Sequence, residues 1–287
     1  MSRITRLAAV AGVAVVGCVS TPAALAATGP YVALGDSYTA GPLVPTPTGS
    51  PILCGRSTNN YPQDVRRAIS PSSFTDASCS SATTADMTQS QSLQGGLQTA
   101  PPQFDALRST DALVTLGIGG NDAGLIGVAE ECAKLDAAWP FGTRCKDHYN
   151  SGGTDTNVTA INATGPKLAA VIQGIHTRAP QARVIVVGYP DGLPTSGTCW
   201  PVVPFSSGDV SYVNSLENRL NVVIASVAQS HVATYVDTYT SSIGHDACKA
   251  PGIAWVNGII PTSPAFPLHP NQAGETNMAT QVLAHLS

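Results

Sequence analysis

Three short segments carry side chains whose types suit acyl transfer. The first is Gly35-Asp36-Ser37-Tyr38, which directly follows the apolar run Tyr31 to Leu34. A serine at the carboxyl end of a strand, entering a helix through a tight turn, presents its hydroxyl to a cleft near a helix N-terminus that favours developing negative charge. Alone, the same residues read equally well as a helix cap supplied by Asp36 or Ser37. The second is Gly117-Ile118-Gly119-Gly120-Asn121-Asp122, after the run Ala112 to Leu116. A dinucleotide fingerprint would need glycine at 122, where aspartate stands, so that reading fails. A glycine turn presenting the Asn121 amide at a strand end can serve as an oxyanion donor, or Asn121 can simply occupy a left-handed turn. The third is Ala265-Phe-Pro-Leu-His-Pro-Asn-Gln-Ala-Gly274, with His269 between prolines ahead of a helical tail. As a general base, His269 would need a partner on its other ring nitrogen, and the residues just before it include no carboxylate.

The elements that must position these residues are legible as patterns. Four apolar, β-branched runs, Tyr31 to Leu34, Ala112 to Leu116, Val184 to Val187 and Val232 to Val236, show no polar alternation, with Phe74 to Ala77 a weaker fifth. Strands buried on both faces belong to parallel sheets covered by helices. Helical periodicity lies between them, most clearly in the stripe Val210, Val213, Leu216, Leu220, Val223, Ile224 and Val227, with Ser207 or Asp209 as its cap. Further helices are expected over about 61–69, 158–178 and 271–286. Strands alternating with helices predict an α/β chain, a three-layer α/β/α sandwich around a mostly parallel sheet. Residues 41–58, 189–208 and 238–267 form long loops rich in Pro and Gly, each after a predicted strand and each holding a cysteine. Ligands of open α/β sheets bind beyond the carboxyl ends of the strands, so these loops should wall the site. Their apolar residues Leu43, Val44, Ile52, Leu53, Trp200, Val202, Val203, Phe205, Ile253, Trp255, Ile259 and Ile260 either line an acyl groove or pack the loops themselves.

Taken together, Ser37 after the first strand, Asn121 after a middle strand and His269 before the last helix resemble the SGNH or GDSL hydrolase family, whose domain is flavodoxin-like. The closest likeness is to secreted actinobacterial lipases and esterases with six cysteines. The resemblance rests on VALGDSYTAG, on Ala77-Ser-Cys-Ser-Ser-Ala-Thr-Thr84, on GIGGND, on Val236-Asp237 with Gly244-His-Asp-Ala-Cys248, and on LHPNQAG. It implies Ser37 as nucleophile, His269 as base and then acid, and an oxyanion hole of the Ser37 N–H, the Ser81 N–H and the Asn121 amide. It also pairs the cysteines as Cys54–Cys79, Cys132–Cys145 and Cys199–Cys248. Two departures stand out. Ser81 occupies the family's usual glycine position, which keeps the N–H but adds a side chain. Phe266 occupies the position, three residues before the histidine, where many members carry aspartate. The main-chain carbonyl of Phe266 is therefore expected to orient His269 in a Ser-His dyad, ahead of the distant acids Asp237 and Asp246. The other histidines, among them His148, His176, His231 and His245, show no metal-binding spacing, and Asp36 and Asp122 are expected to brace their turns.

Arg3 and Arg6, the apolar run Leu7 to Val19 and the small residues Ala23 to Ala27 read as a secretory signal peptide over 1–27, leaving one domain over 28–287. The run is too short to span a membrane, which takes about 20 apolar residues. A lipobox-like Val15-Val16-Gly17-Cys18 offers acylation at Cys18 as the competing fate. The formal charge of −4 becomes −6 without the leader's two arginines, which argues against nucleic acid or anionic lipid as partner. Six cysteines in an exported chain imply disulfides, with 15 pairings open to sequence alone, rather than a metal centre. The expectation is a secreted, monomeric carboxylic ester hydrolase for small-molecule or lipid esters, without metal or organic cofactor. A carbohydrate acetylesterase, a phospholipase or a non-catalytic binding module are the alternatives.

Overall fold

Apolar, β-branched runs that do not alternate need cover on both faces. In the computed structural model, which describes residues 29–286, they lie side by side between helices. Along the chain come β1 (Tyr31–Gly35), α1 (Ser37–Ala40), α2 (Tyr61–Ile69), β2 (Phe74–Asp76), β3 (Gln91–Leu93), β4 (Gln98–Ala100) and β5 (Leu113–Gly117). They are followed by α3 (Leu125–Asp136), α4 (Arg144–Asn150), α5 (Thr156–Arg178), β6 (Arg183–Val187), α6 (Ser207–Ser230), β7 (Thr234–Val236), α7 (Tyr239–Ser242) and α8 (Gln272–Ala284). The main sheet has the order β2-β1-β5-β6-β7 with every pair parallel, while β3 and β4 form a separate antiparallel ribbon.

The two-residue period of the strands sorts their side chains into two cores. Val32, Leu34, Val114, Leu116, Val184 and Val186 face α5 and α6, meeting Leu168, Ile172, Leu220 and Ile224. Tyr31, Ala33, Leu113, Ile185 and Val187 face α2 and α8, meeting Tyr61, Val65, Met278 and Val282. The result is the expected three-layer α/β/α arrangement. From β1 the chain moves outward to β2 and then returns to the other side of β1 as β5, so the direction of winding reverses between β1 and β5. That reversal opens a crevice at the strand ends. Gly35 and Gly117 are in register there, which brings the turns holding Ser37 and Asn121 together.

Two local expectations need correction. The last strand begins at Thr234, because Val232 has φ 57° and is 87 % exposed, a left-handed residue that turns the chain after α6. The cap of α6 is Ser206, whose hydroxyl accepts from the Asp209 N–H, and not Ser207 or Asp209. Asp209 points instead at the start of α4, accepting from the Cys145 and Lys146 N–H groups at 3.0 and 2.9 Å. The signal peptide and Cys18 lie outside the described residues. Among the described residues no helix is long and apolar enough to cross a membrane.

The cysteines join as Cys54–Cys79, Cys132–Cys145 and Cys199–Cys248. The first bridge ties the long loop after α1 to the segment after β2, where the Ser80 N–H also donates to the Cys54 carbonyl at 2.9 Å. It spans 25 residues, so the double replacement Cys54→Ala with Cys79→Ala should lower the unfolding free energy by about 3.5 kcal/mol in the chain-entropy account. Urea unfolding followed by circular dichroism measures the loss, and an unchanged midpoint would contradict it.

Candidate active site

The Ser37 turn is built by what fits at the end of β1. A Cβ on Gly35 would stand 2.2 Å from the Thr39 hydroxyl and 2.5 Å from the Gly117 carbonyl, so only glycine fits beside β5. Asp36 then caps α1, its carboxylate accepting from the Tyr38 N–H at 3.0 Å. Ser37 becomes the first residue of that helix, 7 % exposed, with its hydroxyl toward the crevice.

His269 meets it there. The distance from Nε2 to Ser37 Oγ is 2.7 Å, and Nδ1 lies 2.7 Å from the carbonyl oxygen of Pro267. A carbonyl can only accept, so Nδ1 carries the proton and Nε2 offers its lone pair to the serine hydroxyl. The supporting group is thus a main-chain carbonyl, but that of Pro267 and not of Phe266. The Phe266 carbonyl is turned away, accepting the His269 N–H at 3.2 Å across the bend. Leu268, with φ 60°, lets the chain double back so that the next carbonyl faces the ring. Phe266 contributes its side chain, set edge-on to the imidazole with ring centres 5.3 Å apart. Among the described residues no carboxylate bonds to Nδ1. Asp237 caps α7 through the Tyr239 and Thr240 N–H groups, and Asp246 holds the Cys248 N–H and pairs with Lys249 at 3.1 Å. Burial, partly offset by the Pro267 carbonyl, draws the imidazole down from 6.5 to about 4. At neutral pH the ring is an unprotonated base.

Asn121 and Ser81 complete the crevice, and one groove touches both of them together with Ser37 and His269. The Asn121 amide donates one hydrogen to the Ala82 carbonyl at 2.9 Å, leaving its second for a ligand. Ser81 has φ 64°, the left-handed region in which glycine is unstrained. This explains the glycine usual at the position and shows that serine adopts the same turn. Among the described residues neither the Ser37 N–H nor the Ser81 N–H donates to a protein acceptor.

Both predicted braces act across the crevice. Tyr189, in the loop after β6, accepts the Gly120 N–H at 2.8 Å and donates its hydroxyl to Asp36 at 2.5 Å, joining the Asn121 turn to the Ser37 turn. Burial pushes the Asp36 carboxyl up to about 7 against these donors. Asp122 accepts from the Thr84 N–H and hydroxyl at 2.8 and 2.7 Å, joining the Asn121 turn to the segment that holds Ser81. Tyr38 donates to the Leu268 carbonyl at 2.6 Å and packs its ring 4.9 Å from His269, fixing the histidine loop to α1. Sequence reasoning missed Tyr38, Tyr189 and Pro267. Tyr38 adjoins the serine within the quoted motif, but Tyr189 carries no pattern of its own.

Of the other histidines, His245 stacks on Trp255 at 3.6 Å, and His176 and His231 bond to backbone carbonyls at helix ends. Among the described residues no three His, Cys, Asp or Glu side chains gather as metal ligands. Two hollows open at Ser37. Leu43, Ile52, Leu53 and Phe266 line the outer groove, whereas Leu125, Leu193, Phe205 and Val256 wall a narrower inner cavity of about 80 Å³. Val44 and Val203 are core residues, and Trp200, Val202, Ile253 and Ile260 are exposed outside both hollows.

Comparison with known proteins agrees with this geometry. The model of the GDSL-like lipase/acylhydrolase family matches residues 33–276. The chain is 37 % identical over 268 residues to Lipase 2 of Streptomyces coelicolor, covering 92 % of this chain and 88 % of that one. It is 32 % identical over 282 residues to Lipase 1 of the same organism, covering 98 % and 95 %. A phospholipase A1 from Streptomyces albidoflavus superposes with a TM-score of 0.75 at 30 % identity, covering 91 % of this chain and all of that one. An extracellular lipase from Streptomyces rimosus does so at 0.71 and 26 %, covering 90 % and 99 %. The chain therefore belongs to the GDSL-like lipase/acylhydrolase family and is a serine ester hydrolase of the lipase and esterase type.

Proposed function

We propose that this hydrolase is a secreted, monomeric lipase or esterase whose chemistry is carried by a Ser37–His269 dyad within one domain over 28–287, released by removal of the leader 1–27. The 2.7 Å contact between Ser37 Oγ and an unprotonated Nε2 is the observation that carries it. Ser37 attacks the ester carbonyl carbon while His269 takes its proton. The oxyanion is held by the Ser37 N–H, the Ser81 N–H and the free Asn121 N–H. His269 then gives the proton to the leaving alcohol, and water repeats the sequence on the acyl-enzyme. The apolar inner cavity supports an acyl chain over the acetyl group of an acetylated sugar as the substrate's acid portion. A phospholipid is the second reading, favoured by the likeness to a phospholipase A1 and by the outer groove, which offers room for a bulky alcohol.

Treating the folded protein with a short-chain alkyl phosphonate and mapping the adduct should find Ser37 modified and esterase activity lost together. Labelling elsewhere, or none, would remove the nucleophile assignment. Asn121→Ala should lower kcat by roughly 10² to 10³, about 2.7 to 4 kcal/mol of transition-state stabilisation, with KM and the unfolding midpoint little moved. A kcat within threefold of wild type would take Asn121 out of the oxyanion hole. The acid limb of kcat/KM should fall near pH 4, because the base works unprotonated and burial depresses its affinity for protons. A limb at pH 6.5 or above in the pH–rate profile would contradict a buried, carbonyl-supported histidine.

A further inference from the structure

Along α6 the polar side chains Asn214, Glu217 and Asn221 are spaced three and four apart, so they share one face. Two of them are fully engaged by the chain leaving β6. Asn221 accepts from the Tyr189 N–H and donates to the Tyr189 carbonyl, at 2.8 and 2.9 Å. Asn214 donates to Asp191, to the Leu193 carbonyl and to the Tyr239 hydroxyl. Glu217 is different. Its Oε2 accepts from the Gly192 N–H at 3.1 Å, but among the described residues Oε1 has no hydrogen-bond partner. The carboxyl group instead lines the inner cavity, whose other walls include Leu125, Leu193, Phe205 and Val213 and which Ser37 also lines. Gly192 follows β6 and Ser37 follows β1, two places apart in the sheet, or about 10 Å at roughly 4.8 Å per strand.

A polar group in an apolar acyl site needs a reason, since an unpaired carboxyl excludes methylenes from its neighbourhood. We propose that Glu217 is a specificity-determining residue that limits the usable length of the acyl chain, the carboxyl group standing as a polar end-stop to a cavity otherwise suited to hydrocarbon. The inference rests on the ester-hydrolase reading above and adds to it a preference for short and medium acyl chains. Burial, opposed by the Gly192 N–H and reinforced by the charge of Asp191, lifts the Glu217 carboxyl to about 8. The other titratable groups bearing on it are Tyr38 of α1 and Tyr239 of α7, both raised above the ordinary phenol range and so neutral, while Asp36, pushed up to about 7, lines the same cavity and is common to wild type and both variants. Asp191, itself lifted to about 6, is influenced by Asp246 and Lys249. The end-stop is therefore a neutral acid at pH 6 and an anion at pH 9.5, and the anion should exclude long chains more strongly.

The test compares kcat/KM for 4-nitrophenyl laurate and butyrate, with spontaneous hydrolysis subtracted, in wild type, Glu217→Gln and Glu217→Leu. In Glu217→Leu the laurate-to-butyrate ratio should rise about fourfold for each methylene newly admitted, hence more than tenfold in all. In wild type the ratio should fall severalfold between pH 6 and 9.5, and Glu217→Gln, which keeps an acceptor for the Gly192 N–H, should flatten that dependence. A wild-type ratio independent of pH, or ratios in both variants equal to wild type, overturns the assignment, and the wild-type measurement stands even if a variant does not fold. Failure of wild type to hydrolyse either ester would sink the ester-hydrolase reading and this inference with it. Turnover with an unmoved ratio sinks this inference alone.

Discussion

The hydrogen bond from Nδ1 of His269 to the Pro267 carbonyl fixes which ring nitrogen faces Ser37, so the site depends on the loop that offers this oxygen. A carboxylate would attract the ring from several angles, but a carbonyl must be aimed, and a backbone carbonyl is aimed only by holding the backbone. That explains the number of anchors on this short loop. The Phe266 N–H donates to the Pro42 carbonyl, the Asn257 side chain holds the Ser263 and Ala265 carbonyls, and the Asn257 N–H takes the carbonyl of His269 itself. Tyr38 reaches across from α1 to Leu268, so the residue after Ser37 restrains the residue before His269. The left-handed Leu268 is a local strain of the kind that persists when its surroundings over-determine it.

The same economy governs the oxyanion side. The three proposed donors come from segments far apart in the chain, and the crevice is stitched by two aspartates that bridge its turns. Asp36 and Tyr189 join the first turn to the second, and Asp122 joins the second to the third. Because the Tyr189 links are buried hydrogen bonds between turns and the Asp122 link is partly buried, loss of one partner leaves another polar group without its mate in a setting of reduced dielectric, which costs more than the bond itself contributes. The Cys54–Cys79 bridge reinforces the segment after β2. That segment holds Ser81 in a glycine-like conformation that serine tolerates only when fixed on both sides.

Legibility in the sequence followed how local the governing physics is. The β1, β5 and β6 runs could be read because their covering helices demand unbroken apolar residues, and the α6 stripe because burial imposes its period. At Val232 a β-branched residue that favours strand sits in a left-handed turn, so the turn overrides propensity and the strand starts two residues later. Ser37, Asn121 and His269 were identifiable from motifs at strand and helix ends, but the choice between the Phe266 and Pro267 carbonyls lies in one backbone reversal that no side-chain type encodes. Tyr189 and Glu217 were invisible for another reason. Their roles arise from contacts between α6, the loop after β6 and the turns after β1 and β5, and they become apparent only once the sheet order sets those neighbours together.

Support by a neutral carbonyl redistributes the work of catalysis. A carboxylate beside Nδ1 would raise the basicity of the ring and stabilise imidazolium as it forms; a carbonyl does so less, and the buried ring remains a weak base with little proton affinity near neutrality. Proton transfer from Ser37 then gains less from the base, so more of the transition state must be stabilised where the negative charge develops. The arrangement of the crevice is consistent with that demand: two backbone N–H groups left without protein acceptors, an amide held by one hydrogen so that the other is presented, and braces that keep all three from relaxing toward each other. Rigidity of the proposed oxyanion donors and neutrality of the histidine's support are thus two consequences of one constraint, the placement of a backbone carbonyl beside Nδ1 in place of a carboxylate.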